Sequence, residues 1–119
     1  MTVKEFYEKI GGNYDEAMSR LMKEERIMKY LGKFLDNDDL ASFESYMEEK
    51  DYAEAFRMIH SIKGVSLNLS LDPLANVSSI LCEELRNGEP QVDITNMYED
   101  VKKSYNEVKE AIRELANSN

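Results

Sequence analysis

The chain has 119 residues, 42% hydrophobic and 33% charged, with a formal net charge of −9 at pH 7. That length suits a single domain spanning 1–119, the mixture argues against disorder, and the sign disfavours a broad nucleic-acid or anionic-membrane surface, since both need clustered cations. No apolar run approaches the ~18 residues of a membrane helix, "MTVKEFYEKI" lacks the layout of a secretory signal, and the sole cysteine, Cys82, cannot make an internal disulfide, so a cytoplasmic protein is expected.

Thr2 and Glu5 have the spacing of a capping box, so "TVKEFYEKI" starts a short helix that Gly11-Gly12 ends. "NYDEAMSRLM" offers a second short helix, with Met18, Leu21 and Met22 on one side. The polar "KEE" at 23–25 reads as a corner, because Ile27, Met28, Leu31, Phe34 and Leu35 begin a new apolar stripe. "DNDD" at 36–39 is a turn and a cap, and Leu40, Phe43, Tyr46 and Met47 follow at helical spacing. Asp51 and Glu54 repeat the capping-box spacing. From there Tyr52, Ala55, Ile59, Ile62, Ser66 and Leu69 recur at alternating steps of three and four, the seam of a bundle helix. "LDP" ends that run, with Asp72 as the expected cap and Pro73 at the first helical position. Leu74, Val77, Leu81 and Leu85 carry the next stripe, closed by Asn87-Gly88 and Pro90. Asp93 opens the last helix, where Ile94, Tyr98, Val101, Tyr105, Val108, Ile112 and Leu115 keep the pattern for about six turns. Four long amphipathic segments joined by short polar turns predict an all-α, antiparallel four-helix bundle with one or two additional short N-terminal helices.

"MIHSIKGVSLNLS", residues 58–70, holds the only histidine of the chain. Each helical residue advances ~100°, which puts His60 roughly 130° from the mean direction of its seam. The imidazole is therefore expected to face water, with Arg57, Lys63, Gly64 and Leu67 on the same outward strip. The plain reading of a lone histidine is a satisfied core or surface residue; the angle weakens the core version. Gly64 costs a helix about 1 kcal/mol relative to alanine and caps nothing, because the pattern runs on to Leu69. Facing outward, it leaves room for another molecule's backbone beside the ring. A solvated imidazole is mostly neutral near neutral pH and keeps a free lone pair, so it can act as a nucleophile. A phosphoryl group arriving there carries charge that the Lys63 ammonium can offset.

These residues resemble the histidine-containing phosphotransfer (HPt) domains, whose motif runs approximately His-x-x-Lys-Gly-x-(small)-x-x-x-Gly. "HSIKGVSLNLS" matches at His60, Lys63, Gly64 and the small Ser66, and departs at the last glycine, which is Ser70 here. "LDPLANVSSILCEELRNGE" is similar to the family's next helix, and the likeness spans residues 13–117. The resemblance implies a phosphocarrier rather than an enzyme, exchanging a phosphoryl group between His60 and the aspartate of a response-regulator receiver domain or a hybrid sensor kinase. It implies no cofactor on this chain, the Mg²⁺ being supplied by the receiver. Lys63 would contact the phosphoryl oxygens, Gly64 would permit docking, and Arg57 and Leu67 would belong to the docking strip. In many relatives the neighbouring helix supplies a Gln or Glu that orients the second ring nitrogen. That position falls at Cys82, a weak hydrogen-bond partner whose plain reading is a buried small hydrophobe, which leaves Ser78, Ser79, Glu83, a water or nothing for the task. Arg86 matches a basic position in some relatives, and serves either the phosphate or only the helix dipole. Receiver domains carry an acidic pocket, so the surface around His60 is expected to be locally basic despite the overall charge.

The competing reading is a bundle that only binds signalling partners and is never phosphorylated. A metal-bearing bundle enzyme needs inward Glu-x-x-His pairs, but Arg57 stands three before His60 and no second histidine exists. The apolar seams can all be buried within one chain, so a monomer is the expectation.

Overall fold

In a computed structural model of the protein, which describes residues 1–118, the Thr2 hydroxyl accepts from the Glu5 N–H at 3.1 Å and the Glu5 carboxylate from the Thr2 N–H at 2.8 Å. This reciprocal cap starts α1 (Val3–Ile10), and Gly11 ends it at φ 71°. The side chain of Asn13 caps α2 (Tyr14–Leu21), and Met22 at φ 72° makes the corner anticipated at 23–25, after which α3 runs Glu24–Leu35. The helices that follow are α4 (Asp39–Glu48), α5 (Tyr52–Asn68), α6 (Asp72–Leu85) and α7 (Thr95–Asn117).

Two caps differ from the sequence reading. Asp72 is not the cap of α6 but its first residue, with Leu71 at the cap position and Pro73 next in line. An acidic side chain inside the first turn stabilises the positive helix end without bonding an N–H. At Asp51 only half of the box forms: its carboxylate accepts from the Glu54 N–H at 3.2 Å, but the Glu54 carboxylate turns to Arg57 at 2.9 Å. Asp93 stands one residue before the cap position of α7, Ile94, and its carboxylate takes both the N–H and the hydroxyl of Thr95, the first helical residue, at 2.9 and 2.6 Å.

Short turns join α4 to α5 and α5 to α6, so consecutive helices run antiparallel, and α7 returns along α6 after the longer 86–94 connection. The Phe43 and Tyr98 rings stack at 6.0 Å, and the Tyr98 hydroxyl bonds Glu44, tying α4 back to α7 and closing the bundle. α3 and α1 both pack on α7. One continuous apolar core joins Phe6 of α1, Leu31 and Phe34 of α3, Ile59 and Ile62 of α5, Leu81 and Leu85 of α6, and Val101 and Ile112 of α7. Each such side chain contributes about 1.5–3 kcal/mol on burial, so the seams hold the bundle and leave the opposite helix faces free for polar residues. No helix among the described residues is long and apolar enough to cross a membrane.

Candidate functional site

The buried face of α5 consists of Ala55, Ile59, Ile62 and Ser66. Packing that face against α4 and α6 turns the other one outward. His60, Arg57 and Gly64 are exposed there, Leu67 is 51% exposed, and Lys63 is half-buried. A side chain added at Gly64 would find nothing within 4 Å of its Cβ. The outward strip is thus assembled as the helical angles required.

The charges around it are unequal. Arg57 is engaged by Glu54 at 2.9 Å, and Arg86 by Glu83, with Nη2 at 2.6 Å and Nε at 3.1 Å from the same carboxylate oxygen. Of the three cations only Lys63 has no carboxylate partner among the described residues. Its charge still reaches α6. Hydrogen bonding by Arg86, with that guanidinium's charge, holds the Glu83 carboxyl below its ordinary value, and Lys63 adds to the effect. Burial pushes the Cys82 thiol up, against the opposing pull of Lys63 and Arg86. Both cations therefore converge on the turn of α6 that faces the histidine helix.

No side chain among the described residues hydrogen-bonds the His60 ring. Of the four orienting candidates, Cys82 and Ser78 are fully buried, Ser79 is half-buried, and Glu83 is spent on Arg86. The Ser78 Oγ has no hydrogen-bond partner among the described residues. What does touch the imidazole is Phe56, its ring 5.7 Å away at a 43° tilt. The Arg86 guanidinium lies 5.5 Å from the centroid of that same Phe56 ring. Sequence reasoning passed over Phe56 because it falls outside the seam, although its place four residues before His60 puts it directly beneath the imidazole.

A second feature was also missed. The Ser61 hydroxyl donates to Asp39 at 2.8 Å, and Asn37 donates to the same carboxylate oxygen at 3.0 Å. The Tyr105 hydroxyl in turn bonds the carbonyl and the amide oxygen of Asn37, both at 2.7 Å. These bonds pin α5, one residue beyond His60, to the α3–α4 turn and to α7. Only the DNDD turn itself announced them.

The far end of α5 is held from the N-terminal helices. Arg20 Nη1 donates to the carbonyls of Leu67 and Asn68, and the Tyr7 hydroxyl donates to that of Leu69 at 2.7 Å. The site is therefore an exposed imidazole on a helix fixed at its middle and at its C-terminal end, with one unpaired ammonium a turn away and open backbone at Gly64 next to it.

No curated protein and no solved structure matches the chain. The family model of the Hpt domain does match, over residues 29–118, from the middle of α3 to the end of α7 and so across the whole histidine helix. On that match, and with this site inside it, the chain belongs to the Hpt domain family.

Proposed function

We propose that this chain, as a member of a family whose role is phosphotransfer in two-component signalling, is a phosphorelay carrier, with His60 the acceptor and donor of the phosphoryl group and a receiver-domain aspartate its counterpart. The single observation behind this is the exposed His60 ring with the unpaired Lys63 and the bare Gly64 on one strip.

The step balances without a proton from this chain. The lone pair of Nε2 attacks the phosphorus of the aspartyl phosphate while Nδ1 keeps its hydrogen. The P–O bond to the aspartate breaks, a P–N bond forms, and the carboxylate leaves with the electron pair. The receiver supplies Mg²⁺; Lys63 meets the charge on the transferring oxygens, and Arg86, if released by Glu83, adds a second cation. Gly64, Leu67 and Arg57 form the strip on which the receiver sits. The chain is on this reading substrate and carrier, not catalyst, and acts as a single cytoplasmic chain. The burial of its apolar seams against one another supports the single chain.

The test is transfer from receiver domains charged with acetyl phosphate. A receiver that loses its label to this protein, and keeps it when His60→Gln is supplied, is the expected result. If no receiver of the same genome is discharged, the bundle is only a binding module.

A further inference from the structure

An imidazole on a helix surface rotates broadly about its terminal torsion and presents either nitrogen to solvent. A hydrogen bond to one nitrogen would normally decide which, and no side chain among the described residues makes one to His60. Cys82, where such a bond was sought, is fully buried, and its thiol is held in the neutral form by burial. Yet the imidazole is not bare: Phe56 lies against it at 5.7 Å, and the Arg86 guanidinium stands 5.5 Å from the centroid of the same Phe56 ring. Phe56 is itself half-buried and packs on the core, so its ring is anchored where the His60 ring is not.

We infer that Phe56 is the positioning residue of this site: its ring sets the orientation of the His60 imidazole and holds the Arg86 guanidinium beside it, replacing a hydrogen bond to the second ring nitrogen. The inference rests on reading His60 as the acceptor. Two groups are placed by one aromatic ring. The imidazole loses rotational freedom on the side where Phe56 stands. The guanidinium, attracted to the face of the ring and also bonded to Glu83, stays within reach of a phosphoryl group on the imidazole. An aliphatic residue at 56 would fill the space yet offer neither the flat contact nor the attraction for the cation.

The single histidine makes the test direct. With ¹⁵N-labelled histidine, the ring nitrogens of His60 report the ratio of the two neutral tautomers, and acetyl-phosphate-charged receiver reports transfer. Phe56→Leu and Phe56→Met, both with unchanged helical circular dichroism, are expected to move the tautomer ratio towards that of a free histidine peptide. They should also slow transfer about tenfold, inside the range that a misplaced reacting group costs. Phe56→Tyr keeps the flat ring and is expected to restore both readouts, and receiver affinity stays unchanged in all three. An unmoved tautomer ratio in the folded aliphatic variants overturns the inference. A wild-type chain that takes no label overturns the acceptor reading instead, and the tautomer measurement then still decides the role of Phe56.

Discussion

Arg20 Nη1 donates to the Ser70 hydroxyl at 3.0 Å, and Ser70 passes its own hydrogen to Glu16 at 2.8 Å. Ser70 stands where the family motif carries its last glycine, and its φ of 54° shows why glycine suits the place. A left-handed backbone costs a residue with a Cβ roughly 1–2 kcal/mol, which the two hydrogen bonds help to offset. Ser70→Ala keeps the strain and loses the bonds, so its urea midpoint should fall by the equivalent of about 1–2 kcal/mol. Ser70→Gly loses the bonds but relieves the strain, and is expected to remain near wild type. Equal destabilisation by the two substitutions would show that the strain argument is wrong.

Gly64 and Gly32 form a natural pair, both exposed, both helical, and both with open space where a Cβ would stand. Either one changed to alanine should raise stability by up to about 1 kcal/mol, seen as a higher melting temperature. Their effects on transfer should part company. Gly64→Gln places a side chain over the docking strip and is expected to slow phosphoryl acceptance severely, whereas Gly32→Gln on α3 leaves it unchanged. Equal transfer rates for the two glutamine variants would refute the docking role of Gly64.

Lys63 and Arg57 separate in the same manner. Lys63 has no carboxylate partner among the described residues, while Arg57 is already held by Glu54. Lys63→Glu should therefore slow acceptance by about tenfold or more, as loss of a charge-stabilising group does, with helicity unchanged. Arg57→Glu should do less. Stopped-flow measurement of transfer at two salt concentrations checks both, and a Lys63→Glu protein as fast as wild type contradicts the electrostatic role.

Stability should depend on pH at both ends. Hydrogen bonds from Thr2 hold Glu5 below its ordinary value, those from Ser70 and Arg20 hold Glu16, that from Arg86 holds Glu83, and those from Thr95 hold Asp93. Lowered in the folded state, these carboxyls bind fewer protons there than in the unfolded chain, so stability rises with pH through the carboxylate range. Put the other way, their contribution is present above the unfolded values and lost as pH falls through the folded ones. Burial acts oppositely on two phenols, pushing Tyr7 up and Tyr105 up to about 12. The unfolded chain ionises these tyrosines first, so stability declines above about pH 10, the ordinary tyrosine value. Urea midpoints across the pH range should show both limbs, and Glu16→Gln should flatten the acidic one.

The sequence carried the periodic information well. The seam from Ala55 to Leu69 is buried where its three-and-four spacing put it, and His60 faces out because about 130° of helix separates it from that seam. Turn residues with a fixed conformational preference, such as Gly11, were legible for the same reason: the cause lies within a few residues. Contacts between helices were not. Nothing local to Phe56 announces Arg86 some thirty positions on, and nothing local to Ser61 announces Asp39. Arg20 looks like a solvated charge until α2 is seen beside the end of α5. Asp72 was mistaken for a cap because an acidic residue before proline suits both the cap and the first turn.

The most direct measurement is the nitrogen–phosphorus coupling in this chain after reaction with a phosphorylated receiver. With ¹⁵N-labelled histidine, a ³¹P signal split by Nε2 of His60 is predicted, vanishing on mild acid treatment and never forming in His60→Gln. A phosphorus signal without nitrogen coupling, or one that survives in His60→Gln, would place the phosphoryl group elsewhere and contradict the account.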